Sequence, residues 1–192
     1  MKNAGRNPTL ICFQALRSQI DVNRDPDREP CVADGEHAAF CRDEYIAFHA
    51  MLEAQVKRSL NDYGRCLLVD LHSFEQFWMG GADIVLGTKE GRLCPMDWSE
   101  LLFQNLSKHH HLMLGREYRV TYSPDRAKGI GSRLSGGYVV RRTIETFRQI
   151  REEGRLGAIQ IEVRRQPFFL NRPEIVGVHL ADSLLNWLVK MG

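Results

Sequence analysis

Apolar residues along this chain of 192 residues follow two alternating rhythms. Between Asp43 and Tyr63, the residues Tyr45, Phe48, Met51, Leu52, Val56 and Leu60 recur at steps of three and four. That spacing predicts a helix with one apolar face, and Gly64 supplies its stop. Directly afterwards Cys66–Leu71 (CLLVDL) is a near-continuous apolar run of strand length. Apolar on both sides, it is expected at the centre of a sheet covered by helices.

The succession repeats toward the C-terminus. Asp83–Gly87 and Tyr118–Tyr122 predict short strands, and Ala158–Val163 a second deeply buried one. Helices are predicted from about Trp98 to Met113, with Leu101, Leu102, Asn105 and Leu112 near one side, and from Val139 to Glu153, closed by Gly154. A last helix runs from about Glu174 to Met191, its stripe formed by Ile175, Val178, Leu185, Leu188 and Val189. Ahead of residue 43 the pattern is weaker. Leu10–Leu16 suits a strand or a buried helical turn equally, Ser18–Asn23 alternates, and Asp25–Gly35 (DPDREPCVADG) reads as a loop. Strands alternating with helices predict an α/β protein with a mostly parallel or mixed central sheet. No repeat or linker divides the chain, so one domain over residues 1–192 is expected.

Composition narrows the class without naming it. With 43 % hydrophobic and 26 % charged residues and a net charge of +2, the chain has an ordinary globular balance, and no nucleic acid or anionic membrane is called for as partner. No apolar run of membrane-spanning length occurs, and the N-terminus is too polar for a secretory signal, so a cytoplasmic location is expected. Cys12, Cys31, Cys41, Cys66 and Cys94 form no CxxC pair, which argues against a disulfide framework or a four-thiolate zinc site.

In such sheets functional groups collect just beyond the carboxyl ends of strands. Two places fit. Asp70-Leu71-His72-Ser73 ends a buried strand in polar groups. His72 can ligate a metal through one imidazole nitrogen while Asp70, on the same strand face, holds the other; the blander reading is a histidine satisfied by backbone. Glu162 interrupts the apolar strand AIQIEVRR. A buried carboxylate is costly unless it is used or paired, so Glu162 is a general base, the partner of Arg164 or Arg165, or a residue simply exposed at a sheet edge. Asn23 and Arg24 precede the acidic loop; the planar fork of Arg24 suits a substrate carboxylate, against pairing with Asp25 or Asp27. His109, His110 and His111 point about 100° apart on a helix and are read as a solvated helix end. His49 is read as a residue on a helix face. Gly129, Gly131, Gly136 and Gly137 lack the strand–turn–Lys pattern of a phosphate loop.

In order, IDVNRDPD (Ile20–Asp27), the Tyr45…Phe48-His49 helix leading into VDLHSF (Val69–Phe74), DIVLGT with Gly91 and Cys94, SGGYVVR (Ser135–Arg141) and GAIQIEVRR (Gly157–Arg165) resemble the N-formylglutamate amidohydrolase family. The resemblance runs from about residue 17 to Arg165. It implies a three-layer α/β/α sandwich of the zinc-peptidase/phosphorylase kind and zinc-assisted hydrolysis of the amide of an N-formyl or N-acyl amino acid. On that resemblance His72 is the later histidine ligand of zinc and Glu162 the general base toward water. Arg24 with Asn23 would clamp the substrate carboxylate, Tyr138 and Arg164 would lie close to the substrate, and Asp70 and Ser73 would support the ligand. The family's upstream Pro-His-Ser-Gly-like motif and the acidic residue after it, which supply the first two zinc ligands, have no counterpart here. Weak or absent zinc binding is therefore expected. Two other functions stay open: an inactive or truncated family member that binds a small ligand or a protein, and a peptidase-like amidase acting on short peptides or cell-wall amides.

Overall fold

The computed structural model of the chain describes residues 11, 20–27, 30–74, 84–88, 92–108, 120–121, 137–164, 182 and 184–187. The chain packs as two compact units, Met1–Cys66 and Leu67–Gly192.

The first unit is organised on helix α1 (Ala38–Tyr63). Its buried residues are Cys41, Tyr45, His49, Leu52, Val56 and Leu60, spaced by three or four so that they form one stripe. The stripe differs from the expected one: Phe48 is only half-buried and Met51 is exposed, while His49 is buried. Helix α1 also starts ahead of the expected Asp43. No side chain caps its first turn; instead Gly35, at φ 140°, turns the chain so that its carbonyl accepts from Ala38 N–H. The other end is as expected, with Gly64 in the left-handed region at φ 74° and its N–H on Leu60 O. Ahead of α1, Ile20 bridges Val32 in antiparallel fashion, and Asp21 N–H donates to Cys31 O.

The second unit is built on a four-stranded sheet in the order β1-β4-β2-β3, formed by β1 (Cys66–Phe74), β2 (Ile84–Gly87), β3 (Val120–Thr121) and β4 (Leu156–Arg164). β2 runs parallel to β3 and antiparallel to β4, so the sheet is mixed. Among the described strands β1 stands at one end of the order, not at the centre where its apolar run placed it. Residues 66–70 are half-buried and Leu71 is exposed, whereas Leu156–Glu162 of β4 are buried throughout. The interior strands are β4, flanked by β1 and β2, and the shorter β2, flanked by β4 and β3.

Helix α2 (Met96–Lys108) lays Leu102 and Leu106 on one side of this sheet, against Ile84, Leu86, Ile159 and Ile161, with Trp187 in the same cluster. On β4, Gly157 belongs to this side by alternation with Ile159. A Cβ there would stand 2.9 Å from the Trp98 ring and 3.2 Å from Pro95 Cδ. The opposite side carries Leu93, Ala158 and Val140 of helix α3 (Tyr138–Thr146), with Leu68 of β1 packed against them. One helix was expected from Val139 to Glu153. Instead it breaks at buried Phe147 into α3 and the short α4 (Arg148–Glu152). Thr143 Oγ1 donates to Val139 O at 2.9 Å one turn before the break, the back-bond by which threonine bends a helix. Gly154 follows at φ 72°.

Residues 184–187 are helical. Trp187 is wholly buried while Leu185 is 49 % exposed, so Leu184 and Trp187 make the contact that the sequence assigned to Leu185. Apart from Asp182, which is also helical, the remainder of that predicted helix, most of Leu10–Leu16, residues 109–113, Tyr118, Arg119 and Tyr122, and Gly129, Gly131 and Gly136 lie outside the described residues. No helix among the described residues is long and apolar enough to cross a membrane.

Candidate active site

Strand periodicity assembles the candidate groups of the second unit on one side of the sheet. Leu68 and Ala158 pack together with Val140 of α3, and side chains two apart on a strand share a face. Asp70 and His72 on β1, and Gln160 and Glu162 on β4, therefore all belong to the α3 side. His72 and Glu162 occupy the same place in their strands, two residues before the last of Cys66–Phe74 and of Leu156–Arg164. Ser73 alternates to the other side and is exposed.

Each pair is internally bonded. His72 Nε2–H donates to Asp70 Oδ1 at 2.9 Å, as their i, i+2 spacing allows. This fixes the tautomer and the plane of the ring, the arrangement by which a carboxylate orients a ligating imidazole. Asp70 Oδ2 is buried, with no hydrogen-bond partner among the described residues. On β4, Gln160 Nε2–H donates to Glu162 Oε1 at 2.9 Å, both side chains being buried. The antiparallel register sets Val85 opposite Glu162 and Gly87 opposite Gln160. Gln160 was not singled out in the sequence, although its two-residue spacing from Glu162 was the signal that could have found it.

Tyr138 opens α3, half-buried, and its hydroxyl accepts from Arg142 Nη1 at 3.3 Å. The side chain of Arg164 and all of Arg165 lie outside the described residues. Cys94, wholly buried, is no candidate nucleophile: burial pushes its thiol up from the usual 9.0 to about 12, against the opposing pull of Arg151.

Asn23 and Arg24 belong to the first unit, in a turn tied down at several points. Asp21 Oδ1 accepts from Asn23 N–H, and Asp21 Oδ2 from Arg24 Nε–H, each at 3.1 Å. Asp21 is buried, whereas the Arg24 side chain is 46 % exposed. Helix α1 grips the same turn from its buried stripe. Tyr45 Oη–H donates to Arg24 O at 2.8 Å, and His49 Nε2–H to Val22 O at 3.1 Å. A buried imidazole on a helix is thus satisfied by a carbonyl distant in sequence, the reason His49 takes a core position. Neither Asp21 nor the anchoring roles of Tyr45 and His49 were legible beforehand.

The crystal structure of N-formylglutamate amidohydrolase from Ralstonia eutropha JMP134 is similar to this chain at 17 % sequence identity and a TM-score of 0.48, covering 88 % of this chain and 72 % of that one. No curated protein matches. The model of the family described as N-formylglutamate amidohydrolase matches residues 28–168. That is well over half of the chain, and it includes β1 with its Asp70–His72 pair and β4 with its Gln160–Glu162 pair; the chain belongs to the N-formylglutamate amidohydrolase family.

Proposed function

We propose that the chain is a hydrolase that cleaves the amide of an N-formyl or N-acyl amino acid, with Glu162 as general base and Arg24, beside Asn23, as clamp for the substrate carboxylate. Family membership supports the reaction class. The observation that carries the assignment is the placing of two bonded pairs, Asp70–His72 and Gln160–Glu162, on one side of the sheet near the ends of neighbouring strands. A carboxylate buried at such a place has a use for its charge that a packing residue lacks. In this reading Glu162 takes the proton from the attacking water, Tyr138 and Arg164 contact the substrate, and the two-sided helix cover of β4 belongs to a three-layer α/β/α sandwich. The family match spans the boundary between the two units, which supports treating residues 1–192 as one domain.

Zinc is the metal that the family resemblance implies. His72, with Nε2 committed to Asp70, fits one ligand position through Nδ1. Among the described residues no group of three or more His, Cys, Asp or Glu could hold a metal ion, short of the three protein ligands a catalytic zinc normally has. The described residues thus do not complete the set, and no step is derived through the metal. When bound, zinc would polarise the scissile carbonyl and acidify a water.

The test is formate release from N-formyl-L-glutamate by the purified chain, with and without added zinc. Glu162→Gln is expected to lower kcat on the order of 10²–10⁴-fold with thermal unfolding unchanged within a few degrees. No hydrolysis by the wild-type chain, together with measurable binding of N-formyl-L-glutamate, would make it a ligand-binding member of the family.

A further inference from the structure

We infer that Gln160 is a positioning residue for Glu162, aiming the base in the hydrolysis proposed above; the inference rests on that reading. A primary amide in a buried strand is a liability unless its groups are bonded, and an apolar residue at position 160 would extend the Ala158 cluster. The amide instead spends a hydrogen on Glu162 Oε1 at 2.9 Å. A glutamate's terminal torsion is broad, so an unanchored carboxylate samples many directions, and a general base is effective only when it lies within hydrogen-bond reach of the proton it removes. Fixing Oε1 fixes the plane of the carboxylate.

The partner strand is shaped to suit. Opposite Glu162 stands Val85, 1 % exposed, an apolar wall; opposite Gln160 stands Gly87. Directly paired residues bring their Cβ atoms to about 4.5–5.5 Å, so any side chain at 87 would compete with Gln160 for the space beside β4. Gly87 adds none, and the amide can extend along the strand toward Glu162. The wall at 85, the opening at 87 and the donor at 160 act on one carboxylate.

Gln160→Met keeps length and removes the donor. On N-formyl-L-glutamate it is expected to lower kcat about 10-fold, which is about 1.4 kcal/mol of barrier, with KM changed less than about 2-fold. In a Glu162→Asp background the carboxylate is retracted from the amide, and there Gln160→Met should change kcat less than about 2-fold, the non-additivity of a pair acting as one. An equal loss in both backgrounds, or a rise in KM with kcat intact, would overturn the positioning role. If Gln160→Met does not fold, Gln160→Ala takes its place under the same criteria. Full activity in Glu162→Gln, or no hydrolysis by the wild-type chain, would instead overturn the functional reading and this inference with it.

Discussion

Asp21 holds Arg24 at Nε of the guanidinium, 3.1 Å from Oδ2. Its other oxygen supports the turn through Asn23 N–H, so one buried carboxylate sets both the backbone and the direction of the arginine. A bond at Nε orients the plane of the guanidinium, the group whose fork suits a carboxylate.

Asp21→Asn is therefore expected to act on substrate capture. An asparagine can offer its one oxygen to Asn23 N–H or to Arg24 Nε–H, not to both. KM for N-formyl-L-glutamate should rise roughly 10-fold, the scale of one charge-assisted hydrogen bond, with kcat nearly unchanged. Because the Arg24 side chain is 46 % exposed, the ion pair itself adds less than about 1 kcal/mol to stability. A normal KM in steady-state kinetics would remove Arg24 from the clamp role.

Gly157→Ala tests the packing under α2. The added methyl would meet the Trp98 ring at 2.9 Å and Pro95 Cδ at 3.2 Å, both on relatively stiff groups. Overpacking of this kind typically costs about 1–3 kcal/mol. Trp98→Leu in the same chain should recover part of the loss, since it clears the contact. Urea unfolding of the single and double variants would show it, and strictly additive losses would speak against the contact as the cause.

Stability at alkaline pH should carry the mark of Cys94. Its thiol is raised from 9.0 to about 12 by burial, and burial raises Cys66 in the same direction. Above pH 9.0 the unfolded chain gives up a proton that the folded chain keeps until about 12. Unfolding free energy therefore falls as pH rises through that window. Cys94→Ala should flatten the slope between pH 9 and 11 in urea titrations; an unaltered slope would place the alkaline sensitivity elsewhere.

The sequence revealed elements better than it revealed their neighbours. Periodicity located β4 around Glu162 and put Asp70 and His72 on one face, because two-residue alternation is a local property. It placed β1 centrally, since an apolar run reports burial by any element and says nothing of sheet order. The helix break at Phe147 comes one turn after a threonine side chain bonds the backbone, a local contact that helical periodicity does not register. At the candidate site, Glu162 was marked by its own charge in an apolar strand. Gln160 and Asp21 were not, because a supporting residue is defined by what it touches. Tyr45 was taken simply as part of the apolar stripe, and its hydroxyl contact joins residues 21 positions apart.

The bond from His49 to Val22 O has a further consequence for the arginine-bearing turn. A peptide carbonyl can only accept, so the imidazole must keep a hydrogen on Nε2, and it has one there both as the cation and as one of its two neutral tautomers. Of the two neutral tautomers, the tether therefore selects the one that carries its hydrogen on Nε2. The histidine serves as a hinge pin whose hydrogen is committed to the stretch of chain that carries Arg24.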